Sequence, residues 1–169
     1  MNVRGKMKKI FLFMIAMLLA AGLAACGTGP AKAGSEPIAG RVDEVDVPAF
    51  SFVVGETEIT DKDMAPYPIY SVETTSTNTY GTTTTRVYVG YAISDILDAA
   101  GAADDFSTLV TLADDGYTVS VSRGIAMEPT TLAAISEDGK TFKKGLWFAP
   151  CVSDVSPDYL RDLALIRPE

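Results

Sequence analysis

Two cysteines, five arginines beyond residue 40 and a complete lack of histidine bound the chemistry open to this 169-residue chain. Without histidine there is no Ser-His or Cys-His nucleophile pair, no His-ligated zinc and no haem held by histidine. Cys151 can act as a metal ligand or redox thiol, or sit inert and partly buried. Arg86 and Arg123 are candidates for holding an anion, although surface arginines usually face only solvent. Asp114-Asp115 offers carboxylates for weak calcium binding, but with Gly116 it also reads as turn chemistry. Asp104-Asp105 is a similar pair with no ligand pattern around it. Trp147, the single tryptophan, can stack on a ligand; inside the apolar run 146–149 it is expected in the core.

The N-terminus decides where this chemistry takes place. Lys6, Lys8 and Lys9 precede an apolar stretch, residues 10–19, and the small-residue junction Leu23-Ala24-Ala25-Cys26 follows. Residues 1–25 read as a secretory signal, too short and wrongly flanked for a retained transmembrane helix. The junction resembles the lipobox of bacterial lipoproteins. That resemblance implies that Cys26 becomes the lipidated N-terminus and holds the protein on the extracytoplasmic face of a cell membrane, inner or outer. An ordinary signal with a chance cysteine is the alternative, and Met7 is a second possible start. No twin-arginine pair marks export in the folded state. Residues 26–40, rich in Gly, Ala and Pro, read as a flexible linker, and residues 41–169 as one domain.

Losing the signal removes four of the 14 basic residues and none of the 22 acidic ones, leaving ten against 22, a net charge of −12. Such a surface argues against nucleic acid and anionic lipid headgroups as partners. It fits a solvated, soluble exterior, or recognition of cations or basic partners. With Cys26 lipidated, Cys151 is the only thiol left, so no intramolecular disulfide can form.

Residues 87–122 are the stretch around which the domain is organised. A strand over 87–89 runs to Gly90. Ile93, Ile96, Leu97 and Ala100 then recur at helical spacing, which predicts a helix over 93–100 with Ser94, Asp95 and Asp98 on its wet face. Gly101 is placed to end it. Asp115-Gly116 predicts a two-residue hairpin turn between strands 108–113 and 117–122. Upstream, 41–47 reads as an edge strand, 52–54 and 56–59 as a hairpin about Gly55, and Thr60 as the cap of a helical turn over 61–64. Strands are expected at 69–75 and 84–89, with 76–83 as an exposed, threonine-rich loop, either a ligand-facing rim or a solvated face. Downstream come a strand at 131–135, a second hairpin signal at Asp138-Gly139 and a buried strand at 146–149. Ser156-Pro157 opens a helical turn over 158–161, and a last strand covers 163–166. Strands dominate around one main helix, so the class is β-rich α+β.

The segment GYAISDILDAAG, Gly90 to Gly101, resembles the glycine-then-helix motif of the sulfite-oxidase-type molybdopterin-binding domain. Asp115-Gly116-Tyr117 with its alternating strand, GLWFAP at 145–150 and the closing run 159–166 are similar to later segments of that family, in the same order. The resemblance covers residues 52–166. It implies a mixed β-rich sheet or barrel, and in the family's enzymes a molybdenum on a pterin dithiolene. There a cysteine thiolate upstream of the helix binds the metal, and histidine and several arginines surround the pterin phosphate. The matching segment here, residues 71–77 (SVETTST), has no cysteine, and hydroxyls are poor ligands where a soft thiolate is wanted. By the same resemblance Cys151 borders the cofactor site. The fold therefore carries over more safely than the activity. The expectation is a membrane-anchored, non-catalytic module binding a small ligand or a protein partner, with no cofactor. A molybdopterin-dependent oxidoreductase with a degenerate site and a purely structural surface lipoprotein are the alternatives.

Overall fold

The computed structural model describes residues 38–78, 80–102, 105–151 and 159–169, all within one compact unit, Gly34–Glu169. The signal, Cys26, the linker up to residue 37, Asp104 and the Ser156-Pro157 cap lie outside the described residues. In chain order the strands are β1 (Ile38–Val42), β2 (Ser51–Val54), β3 (Thr57–Thr60), β4 (Ile69–Thr77), β5 (Thr83–Ala92), β6 (Thr108–Ala113), β7 (Thr118–Ser122), β8 (Thr131–Glu137), β9 (Lys140–Thr141), β10 (Trp147–Pro150) and β11 (Leu163–Pro168). Three helices, α1 (Asp61–Met64), α2 (Ile93–Ala99) and α3 (Arg123–Ala126), interrupt them. The β-rich α+β class holds.

The strands form two sheets. The first runs β1-β4-β5-β8-β10, with β9 folded back on β8, and every pair in it is antiparallel. The second runs β3-β2-β11-β6-β7, where β2 and β11 are parallel. A single core cluster joins them: Tyr91, Ala133, Ile135 and Phe148 of the first sheet meet Phe52, Val54, Leu109, Val119 and Ile166 of the second. Because side chains alternate along a strand, the first sheet has an opposite, outer face. That face carries a second, smaller cluster of Val72, Tyr88, Leu132, Ala134, Ala149 and Cys151.

Helix α2 docks as its periodicity predicts. Ile93, Ile96 and Leu97 are buried. Gly101, at φ +61°, closes it: its N–H bonds the Asp98 carbonyl at 2.9 Å and the Ala102 N–H bonds that of Leu97 at 2.9 Å, the paired bonds of a left-handed helix stop. Thr60 meets α1 as expected, its N–H and hydroxyl both donating to Asp63 at 2.9 and 2.6 Å. Asp138 and Gly139, at φ +49° and +74°, form the two-residue turn between β8 and β9.

Several expectations need correction. Gly90 does not end a strand; it lies inside β5, which continues to Ala92. β4 and β5 reach further into the threonine-rich run than expected and pair as far as Thr77 and Thr83. β1 begins at Ile38, so residues 38–40 of the expected linker pair with β4, while residues 43–47 form no strand. The β6–β7 turn has three residues, Asp114 to Gly116, because Ala113 rather than Asp114 bonds Tyr117; Gly116 takes the left-handed position at φ +88°. Arg123-Gly124 opens α3, with the Ser122 hydroxyl accepting from the Ile125 N–H. Tyr159 to Arg161 are not helical: Leu160 exchanges backbone hydrogen bonds with Phe148 at 2.8 and 3.0 Å and extends the first sheet's edge. Asp95 is not fully wet, since one carboxylate oxygen is buried without a partner and burial, then Asp98, pushes its pKa up.

Candidate functional site

The outer face of the first sheet holds a cavity of about 330 Å³ lined by Ser76, Asn78, Thr82, Thr84, Arg86, Tyr88, Trp147, Tyr159 and Arg161. Strand parity explains the lining. Positions 84, 86 and 88 of β5 share a face, and Ser76 lies opposite Thr84 in the register. The Asn78 side-chain oxygen accepts from the Tyr80 and Thr82 N–H groups, both at 3.0 Å, which shapes the hairpin tip at the cavity mouth.

Glu137 reaches this face through a β-bulge. Val89 pairs with Ser136 and Gly90 with Ala134, so Ile135 is an extra residue in β8. An extra residue shifts the alternation beyond it, and Glu137 lands opposite Tyr88. There its carboxylate forms an ion pair with Arg86 and accepts from the Tyr88 hydroxyl at 3.1 Å. The Glu137 carboxylate raises the Arg86 pKa. Burial, then the same carboxylate, pushes Tyr88 up to about 12.

On the far side, β10 supplies Trp147 and the segment after the undescribed residues supplies Tyr159 and Arg161. Phe142 stacks on Trp147, centroids 4.1 Å apart and planes within 8°. The Arg161 guanidinium lies over the same indole at 4.6 Å. Two partners cannot share one ring face at these distances, so the indole is held between them. Tyr159 stacks on Tyr88 at 5.3 Å. Its hydroxyl is buried beside Thr74 and Cys151 without a hydrogen bond of good geometry, and burial drives its pKa up.

The candidates named from sequence fare differently. Arg86 lines the cavity but is spent on Glu137. Arg123 is exposed in the other sheet's surroundings, its guanidinium 5.7 Å from the Phe106 ring centre, and does not line the cavity. Trp147 is not a core residue: it is half-buried on the outer face, while its neighbours Leu146 and Phe148 enter the core. Cys151 lies under the cavity rather than in it, 1% exposed, donating weakly to the Ala149 carbonyl at 3.5 Å; its own carbonyl accepts from the Thr74 hydroxyl at 3.1 Å. Asp114 pairs with Lys144 at 2.8 Å. Among the described residues no three His, Cys, Asp or Glu side chains gather as a metal site. Arg161 and Tyr159 were missed; only their place in the closing segment of the family resemblance pointed toward them.

Burial pushes the Cys151 thiol up to about 12 from an ordinary value near 9. A group whose folded pKa is raised stabilises the fold below its unfolded pKa and loses that contribution as pH rises through the folded value. Stability is therefore expected to fall between about pH 9 and 12. In Cys151→Ala, urea midpoints followed across that window should fall less steeply. Identical slopes would show that the thiol is not buried as described.

No protein-family model matches the chain, and no curated protein shows significant similarity to it.

Proposed function

We propose that the chain is an extracytoplasmic lipoprotein, anchored in the cell membrane through Cys26, whose domain is a non-catalytic binding module on a sulfite-oxidase-like scaffold. The observation that carries this reading is the composition of the outer-face cavity. Aromatic, hydroxyl and guanidinium groups converge there, as in sites that orient a small ligand; a purely structural lipoprotein has no use for them. Among the described residues its ionisable lining is two arginines and two tyrosines. The arginine beside Glu137 is held protonated and both phenols are pushed further from neutrality. Neither that arginine nor either phenol exchanges a proton near neutral pH, which general acid–base catalysis requires.

The residues do not fit a molybdenum–pterin group. Residues 71–77 offer hydroxyls and Glu73 on strand β4. The one thiol nearby, Cys151, is buried and kept protonated, whereas metal binding needs the thiolate. Nor does the cavity, with one uncommitted guanidinium among the described residues, supply the cluster of cations that a pterin phosphate calls for.

Purification of the full chain and of Cys151→Ser from a host that makes the pterin cofactor tests this reading. Elemental analysis should find negligible molybdenum in both. Near-stoichiometric metal in the wild type, lost in Cys151→Ser, would overturn the non-catalytic reading. The anchor is tested in the same host: wild type should partition into detergent with the membranes and Cys26→Ser should not. Identical soluble fractionation of the two would remove the lipoprotein.

A further inference from the structure

We infer that the outer-face cavity takes a polyhydroxylated monocarboxylate, the chemistry of a sugar acid, with its carboxylate on Arg161. The inference rests on the binding-module reading and names its ligand class.

Charge comes first. Of the two guanidiniums lining the cavity, Arg86 is neutralised by Glu137. Arg161 has no carboxylate partner among the described residues and contacts the Trp147 ring face. Among the described lining residues its N–H edge is thus the one uncompensated cationic donor set, and a guanidinium edge matches a carboxylate in a two-point bond. One such positive charge in a mature chain with ten basic and 22 acidic residues, net −12, suits a monoanion and opposes a polyanion. Trp147 is the positioning residue: Phe142 on one face fixes the indole, and the indole holds the guanidinium on the other. The ligand therefore meets the arginine edge and not the tryptophan face.

The hydroxyls come second. On the opposite face of the β4–β5 hairpin, Thr75 bonds Thr85 at 2.9 Å and Thr77 bonds Thr83 at 3.0 Å. The cavity-facing Ser76, Thr82 and Thr84 side chains have no such partners among the described residues. The Asn78 side-chain oxygen is occupied within the turn, which leaves its NH₂ group to donate. Hydroxyls donate and accept, whereas a bare oxyanion only accepts; a ligand carrying several OH groups uses both capacities. The volume, about 330 Å³, is ample for one sugar ring.

Trp147 is the only tryptophan, so its fluorescence reports on this cavity alone. The full chain in detergent is titrated with D-galacturonate, D-galactose and inorganic sulfate. Galacturonate should give a saturable change, with galactose and sulfate at least about tenfold weaker, the scale of one charge-assisted contact. Arg161→Gln should erase the advantage of galacturonate over galactose, and Thr84→Val should weaken both sugars; thermal midpoints near wild type confirm that the variants fold. A free sugar acid and the acidic end of an otherwise neutral oligosaccharide share this chemistry, and tighter binding of a galacturonate–galactose disaccharide, still a monoanion, than of galacturonate would place the ligand in a chain. Galactose equal to galacturonate, or sulfate as tight as either, overturns the ligand class while leaving a binding site. Silence with every probe in a folded wild type overturns the ligand class.

Discussion

Replacing Phe148 by alanine should lower the unfolding free energy by about 3–5 kcal/mol, the usual cost of emptying a buried phenylalanine site. Phe148 is 0% exposed and belongs to the cluster that joins the two sheets. Its backbone also pairs with Leu160 in both directions, so the strand cannot easily shift to refill the void. Trp147→Ala, one residue away, is the internal comparison. That side chain lies outside the main core, and its loss should cost clearly less while removing the platform under Arg161. Urea unfolding of both variants checks the pair. Equal losses would mean that the two faces of β10 are wrongly assigned.

Gly90→Val should be the second large effect, at or above the upper end of the roughly 1–3 kcal/mol typical of overpacked cores. A Cβ at Gly90 would sit 2.2 Å from the Ala133 carbonyl oxygen and 2.5 Å from the Ala134 Cα. Both are backbone atoms, so no side chain can turn aside to make room. The close approach occurs at the β5–β8 bulge, where glycine within a strand is expected. Gly101→Ala provides the contrast. A Cβ there meets open space, leaving only the cost of a left-handed residue, about 1–2 kcal/mol. If Gly90→Val unfolds no more easily than Gly101→Ala, the strands do not approach as described. Because the same bulge delivers Glu137 to Arg86, Gly90→Val should also disturb the cavity, visible as a shift in Trp147 emission.

The elements legible from sequence are those whose signals are local. Helix α2 carries its apolar stripe, its first-turn Asp95 and its Gly101 stop within a dozen residues. The turns at Gly55 and Asp138-Gly139 each need a positive φ, which few residues accept. The alternation of β7 places Val119 and Val121 inside without reference to any partner strand. Lack of histidine likewise narrowed the chemistry by residue type alone.

The cavity was decided by pairing. Ile135 becomes an extra residue only because β5 and β8 settle in a particular register. A one-residue slip moves every side chain beyond it to the other face, and so Glu137 neutralises Arg86 and Tyr88 gains a partner. Trp147 sits in an apolar run that reads as core throughout, yet β10 is an outer strand of its sheet with one face open, and parity puts the tryptophan on that face. The segment 159–161 reads as a helical turn from its neighbours, but the hydrogen-bonding edge of Phe148 draws it into the sheet instead. That edge brings Arg161 over the indole: types and turns are written along the chain, whereas the meeting of Arg161 with Trp147 depends on strands distant in sequence finding a common register.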